Sequence, residues 1–393
     1  MRKNLFKKVL ALTLASTMAF SMAGCGSKGG SSDAKNDDGT ITLNVWHQWS
    51  NDTNELKSKY EEAVKAYEKE NSGVKIKTET LDTEAYKTKI NAEFAGDAKG
   101  IDVFYWWGAG TAKKLVDAGK VMALDDYVTD DVKSKILEGS TSAFEFDGKL
   151  YSVPMFSWYM TLFCNKTMFD KAGATLPTTY DELVDAVKKL KKLDGVTPMA
   201  AGAKDGWNAA FVYQALALRE VGATGVNEML SGKKEFGDEG FKKAAQKVSD
   251  LYEMGAFGDN PLEQGNDDAN AAFENGKAAM RLMGSWFANN VYTDDAATIK
   301  PEEVVALKIP TIADGKGEAT DYCGGFVESF WVNNNTKYKE EAAKFCIYIN
   351  EKMGVASYET GSGFSGWTTP ADESNLNPLF IQIKDLLAEG KQG

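Results

Sequence analysis

Apolar and polar positions in residues 40–110 follow two alternating periods. Ile41-Thr-Leu-Asn-Val45 alternates and runs into Trp46-His-Gln-Trp49, the period-two signature of a strand. Leu56, Tyr60, Ala63, Val64 and Tyr67 then share one face at helical spacing, with Asn51 or Asp52 available to cap the start. Val74-Lys-Ile76-Lys-Thr78 alternates again, Tyr86, Ile90 and Phe94 mark a second helix, and Ile101 to Trp107 is an apolar strand ending in aromatics. Strands alternating with helices predict βαβ units on a largely parallel sheet, so the expected class is α/β.

The pattern resumes further on. Tyr151 to Cys164 is strand-like with a break near Pro154 and Met155. Helices are expected at 181–193, 207–220, 240–254 and 268–275, the last led by Asp267 and Asp268 and stopped by Gly276. Ala278–Met283, Val304–Ile309 and Phe330–Asn333 read as strands. A helix over 337–352 would bury Ala342, Phe345, Cys346 and Ile349. There is no internal repeat of fixed period.

The first residues change the picture. Arg2, Lys3, Lys7 and Lys8 precede Val9–Met22, a run without charge that suits a signal-peptide core and is too short to span a bilayer comfortably. It ends in Met22-Ala23-Gly24-Cys25, which resembles a bacterial lipobox, so cleavage before Cys25 and a lipid on that cysteine are expected; the alternative is a secreted chain with an incidental Cys25. Gly26–Gly39 is rich in Gly, Ser, Asp and Lys and buries too little apolar surface to order itself, so it reads as a flexible tether. Removing residues 1–24 takes the formal charge from −12 to −16. That balance argues against nucleic acid or an anionic membrane face as partner and suits a neutral ligand. The body, residues 40–393, is long enough for two domains. Cys164, Cys323 and Cys346 show no Cys-x-x-Cys spacing and read as buried thiols, although one bridge stays open.

Catalytic patterns are poor. His47 is the only histidine, and no serine sits in Gly-x-Ser-x-Gly, which disfavours a histidine-based triad. No His/Cys cluster suits zinc, and no cofactor is indicated. Gly361-Ser-Gly-Phe-Ser-Gly366 matches Gly-x-Gly-x-x-Gly, yet it follows a helical pattern and runs into Trp-Thr-Thr-Pro370, so it reads as a Gly-rich turn.

Four blocks in order carry a resemblance. These are Glu145-Phe-Asp-Gly-Lys-Leu-Tyr-Ser-Val-Pro154, Leu162-Phe-Cys-Asn-Lys-Thr-Met-Phe-Asp-Lys-Ala-Gly173, Pro177-Thr-Thr-Tyr-Asp-Glu-Leu183, and Ala272-Phe-Glu-Asn-Gly-Lys-Ala-Ala-Met280 with Gly284-Ser-Trp286. Together they resemble the extracellular solute-binding proteins of the maltose-binding type, with Cys164 and Tyr180 standing where an aromatic and Trp are usual. The resemblance implies a two-lobe, type II periplasmic-binding-protein-like α/β fold with a hinge and a ligand cleft between the lobes. Lobe 1 would comprise 40–153 plus 326–368, and lobe 2 would comprise 154–325 plus 369–393 with a shortened C-terminal part. It further implies a monomer that carries a carbohydrate to the transmembrane subunits of an ABC permease.

Sugars present flat C–H faces to aromatic rings and hydroxyls to polar groups. The chain has nine tryptophans, eight of them at expected strand ends or loops, whereas Trp331 reads as core. Carried over residue by residue, the family's contact positions fall on Gln48, Trp49, Trp106, Trp107, Trp158, Tyr159, Asp205, Trp207, Trp286, Gly325, Phe326 and Trp367. Core packing is the alternative for each Trp, and Asp102 is expected to be structural. The rival reading is a secreted glycosidase, which needs two carboxyls flanking a scissile bond. Asp205 or Glu145 could be nominated, but nothing singles out a pair.

Overall fold

The computed structural model describes residues 39–52, 54–293 and 297–389; the leader, Cys25 and nearly all of the tether lie outside them. β1 (Ile41–His47), α1 (Glu55–Glu70), β2 (Val74–Thr80), α2 (Thr83–Ala95) and β3 (Val103–Trp107) open the first half. β1 is parallel to β2 on one side and β3 on the other, the βαβ arrangement that the alternating periods predict. α1 is capped by Asn54, whose Oδ1 accepts the Leu56 N–H at 2.9 Å, instead of by Asn51 or Asp52. A cap needs an extended backbone next to the first helical residue, and Asn54 has it (φ −77°, ψ 113°). α3 (Ala109–Asp117), α4 (Asp130–Lys135) and a hairpin of β4 (Glu145–Phe146) and β5 (Lys149–Leu150) complete this stretch.

β6 (Phe156–Asn165) then leads into a second core. It is built from α5 (Lys166–Ala172), α6 (Tyr180–Leu190), β7 (Thr197–Ala200), α7 (Gly206–Leu230), α8 (Glu239–Glu253), α9 (Asn266–Glu274), β8 (Ala278–Gly284), α10 (Phe287–Thr293) and β9 (Val304–Leu307). α7 runs past the expected stop at 220, through a kink at Gly222, to Leu230. At the kink the Arg219 and Glu220 carbonyls accept the N–H groups of Gly317 and Lys316, so the broken helical ladder stays satisfied. β10 (Gly324–Val332) returns to the first half and is longer than the Phe330–Asn333 strand read from apolar residues alone. α11 (Lys339–Glu359) buries Ala342, Phe345, Cys346 and Ile349 completely. β11 (Phe364–Ser365) and α12 (Pro378–Ala388) follow, and α12 sets Leu379, Phe380 and Ile383 into the second core.

The main sheet runs β2-β1-β3-β10-β6-β8-β7, with β9 and β11 also on β6. β6 and β10 are each shared. Phe156–Tyr159 of β6 pair with the start of β10, whereas Met160–Asn165 pair with β8 and β9. The rest of β10, Glu328–Val332, pairs with Trp107–Val103 of β3. Gly324 is forced by this junction: its φ is +148°, and a Cβ there would lie 2.0 Å from the Trp158 carbonyl oxygen.

Two hydrophobic cores lie on either side of the junction. Tyr60, Tyr105, Phe330 and Trp331 belong to the first; Phe163, Leu216, Phe273 and Phe287 belong to the second. Asp102 is structural, taking the Asn44 N–H on Oδ2 (2.8 Å) and the Thr336 hydroxyl on Oδ1 (2.6 Å). The three cysteines of the body are free thiols. Among the described residues no helix is long and apolar enough to cross a membrane.

Candidate ligand-binding site

Where β6 leaves the junction, the pleat sends neighbouring side chains to opposite faces. Trp158 goes to one side and stacks on Phe211 of α7 (centroids 5.3 Å apart, 29° between planes). Trp286, just past β8, meets Trp158 edge-on at 4.9 Å, and Trp207 meets Phe211 edge-on at 5.2 Å. Trp207, Phe211, Trp158 and Trp286 therefore form one continuous aromatic wall, and three of its four members were sequence candidates. Trp286 does not simply project from the strand end. Its ring folds back over Gly284, where a Cβ would sit 1.9 Å from the indole.

The first half faces this wall with Trp107 and its neighbours. Trp107 packs on Tyr105 (5.3 Å) and Trp106 (5.3 Å), and Lys87 Nζ lies 5.2 Å from the centre of its ring. Opposite Trp107 in the ladder is Glu328, which receives the Tyr105 hydroxyl proton in a hydrogen bond. Among the described residues, Gln48 Oε1, Trp106 Nε1, Ser157 Oγ and Trp158 Nε1 are buried without a hydrogen-bond partner. Buried polar groups are normally bonded, and one left unmade costs about 1–3 kcal/mol, so atoms of this kind are candidates for bonding a polar ligand.

The other candidates are placed differently. Trp49 packs against His47, Tyr60, Tyr105 and Phe330 inside the first core, because β1 delivers it under α1 rather than past the sheet edge. Trp367 is buried too, with its indole N–H donating to the Pro154 carbonyl at 2.7 Å, so its one polar atom is already used. Tyr159 takes the face opposite Trp158 and meets Tyr322 and Phe364. Asp205 Oδ2 accepts the Asn266 N–H at 2.5 Å and so joins the starts of α7 and α9. Gly325 has open space where a Cβ would be, and Phe326 packs on the first core. Phe211, Lys87, Ser157 and Glu328 were missed. Glu328 left a visible signal, an acid in the otherwise uncharged run Gly324–Asn335.

Buried Arg281 underlies the wall. Its guanidinium donates to Asn208 Oδ1 (2.7 Å), Asn266 Oδ1 (3.0 Å), Asn270 Oδ1 (3.1 Å) and the Ala200 carbonyl (3.3 Å). It thus ties β8, which leads to Trp286, to the first turn of α7, which carries Trp207.

Burial pushes the Glu328 carboxyl up to about 8, with the nearby Lys87 charge pulling the other way. The folded chain then holds a proton that the unfolded chain releases at ordinary carboxylate pH. Stability from this source is complete below about pH 4.5 and is lost as pH rises through about 8. His47, pushed down to about 3 chiefly by burial, acts oppositely: stability is lost as pH falls from 6.5 toward 3. Glu328→Gln removes only the first effect. Its denaturation midpoint relative to the unsubstituted protein is expected to improve steadily from pH 5 to pH 8.5, by on the order of a few kcal/mol. A constant difference between the two midpoints would mean that Glu328 is ionised throughout.

Comparison with known proteins follows the same lines. Residues 50–355 match the sequence family described as bacterial extracellular solute-binding protein. The chain is 24% identical over 389 residues to the multiple sugar-binding protein of Streptococcus mutans, covering 95% of this chain and 86% of that one. Among solved structures, one from work on xylan utilization by the thermophilic bacterium Caldanaerobius polysaccharolyticus superposes with a TM-score of 0.84 at 36% identity, over 90% of this chain and 89% of the other. A chitin oligosaccharide binding protein shares the fold at a TM-score of 0.80 and 23% identity, over 90% and 87% of the two chains.

Proposed function

The chain belongs to the bacterial extracellular solute-binding proteins, and on that premise we propose that it is the substrate-binding component of an ABC importer, capturing an oligosaccharide between two lobes. Lobe 1 is assigned to 40–153 plus 326–368, and lobe 2 to 154–325 plus 369–393; the two separate cores and the shared strands β6 and β10 support that division. The observation that carries the ligand class is the aromatic wall of Trp158, Phe211 and Trp286 with its unpartnered Trp158 Nε1. Indole and phenyl faces take the C–H faces of pyranose rings, and the free donor takes a hydroxyl. The protein works outside the cytoplasmic membrane, as a monomer anchored through lipid on Cys25, and hands its ligand to the permease without cleaving it. Lobe closure turns about Val153–Phe156, Gly324–Phe326 and Gly366–Pro370.

The 36% identity to the chain studied for xylan utilization makes β-linked xylo-oligosaccharides the first ligands to try. A thermal-shift series with xylo-, chito- and malto-oligosaccharides tests the proposal. A ligand that binds only the folded state at a hundred times its Kd adds about 2.7 kcal/mol, a rise of several degrees in Tm. No shift with any saccharide, or release of shorter products during incubation, would overturn it.

A further inference from the structure

β10 changes partners at Glu328. Its ladder with β6 ends there, opposite Phe156, and its ladder with β3 begins there, opposite Trp107. The carboxyl is therefore set at the seam between the two halves, beside the Trp107 ring. Only 7% of Glu328 is exposed. Oε2 takes the hydrogen bond from the Tyr105 hydroxyl, whereas Oε1 has no hydrogen-bond partner among the described residues and is not fully covered. Little around the group favours its charge. Lys87 of α2 pulls toward the ionised form, but its ammonium is 2.8 Å from Glu84 Oε1 and shares its field with that carboxylate. β3 contributes Tyr105 and two tryptophans, and Phe156, Ser157 and Trp158 of β6 carry no charge. His47 of β1 is neutral and enclosed by Trp49, Tyr60 and Phe330. Burial therefore outweighs the cation, and the carboxyl, pushed up to about 8, keeps a proton at neutral pH. Because Oε2 accepts from Tyr105, that proton sits on Oε1 and makes it a donor.

We propose that Glu328 is a proton-linked contact of the bound saccharide: its neutral carboxyl donates from Oε1 to a ligand hydroxyl, and in mildly alkaline solution the group takes up a proton from solvent as the ligand covers it. The inference rests on the saccharide-binding reading above and names the group that ties its affinity to pH. A ligand over Oε1 displaces the water still within reach of the charged form and uses the O–H of the neutral one. The bound state therefore holds the proton more tightly than the free state. Coupling of this kind is reciprocal, so whatever strengthens the proton's hold also strengthens the ligand's. Affinity is level while the free carboxyl is protonated and falls as pH rises through about 8.

Calorimetric titration of the full chain with xylotriose, maltotriose and chitotriose tests this, run from pH 6 to pH 9 and, at pH 8, in both phosphate and Tris. The two buffers differ in ionisation enthalpy, so the difference in binding heat counts the protons taken up. The unsubstituted protein is expected to take up a fraction of one proton at pH 8 and to bind its trisaccharide several-fold more weakly at pH 9 than at pH 7. Glu328→Gln keeps an N–H donor for the ligand but cannot titrate, so its affinity should be level over this range, with no proton uptake. Tyr105→Phe removes the hydroxyl that favours the charged form, and its fall in affinity should begin at higher pH; that variant decides the matter if the glutamine protein does not fold. A trisaccharide bound without proton uptake, or uptake that survives in Glu328→Gln, would overturn the proton link and leave the saccharide reading intact. Binding of none of the three would overturn both.

Discussion

Replacing Trp286 by alanine is expected to weaken oligosaccharide binding tenfold to a hundredfold while leaving the unliganded Tm within a few degrees of the parent. The ring is half-buried, lies over Gly284 and presents an edge to Trp158 at 4.9 Å. Its removal takes one side from the proposed sugar-stacking wall and opens little of the core. A stacking aromatic contributes on the order of 1–3 kcal/mol, which converts to the stated loss of affinity. Trp331→Ala is the contrast, because that ring is fully buried and its N–H is bonded to the Trp106 carbonyl at 3.1 Å. There the cost should fall on the fold, at about 3–5 kcal/mol. Calorimetric titration and melting of both variants separate the cases. A Trp286→Ala protein that melts far lower, or binds sugar as tightly as before, would make Trp286 a packing residue.

A larger effect on stability is expected at Arg281. It is 2% exposed, and burial pushes its pKa down to about 9, so it remains charged at neutral pH. Arg281→Met keeps a similar apolar stem but strips the hydrogen bonds from three asparagine oxygens and a backbone carbonyl. Stranding several buried acceptors costs about 3–5 kcal/mol in total, a fall in Tm on the order of 10 °C for a chain of this size. Arg281→Lys retains the charge but, lacking the planar fork, cannot reach every acceptor, so it should fall between the two. Equal melting of Met and parent proteins would show that solvent satisfies those oxygens and that the network carries no stability.

The alternating periods in the first hundred residues of the body were enough to read β1, α1, β2, α2 and β3, because each element repeats a local pattern over several residues. The start of β10 was not legible. Gly324 and Gly325 have no side chain to signal a strand, and only pairing with Tyr159 and Trp158 makes them one. Likewise α7 continues beyond 220 because residues 316–317 repair its kink, a contact between positions nearly a hundred residues apart. At the site, the tryptophans were visible as candidates, but their division between wall and core was not. Trp158 and Tyr159 are neighbours that the pleat sends apart, and Trp49 is drawn inward by Tyr60 and Phe330. The hydrogen bond from the Trp207 indole to Glu84 was invisible in principle, since the two residues are 123 positions apart and neither lies in a motif.

The shared strands have a consequence for the order in which the protein can be made. β3 is bordered on one side by β1, but its other neighbour is β10, and Tyr105 waits for Glu328, 223 positions further along the chain. A polypeptide that is made N-terminus first therefore exposes β3 as an open edge until residues 324–332 have been added. Unpaired edges template association with other chains, and pairings this remote in sequence form slowly. The N-terminal half thus cannot complete its sheet by itself, and its most vulnerable interval lasts until β10 is available to pair.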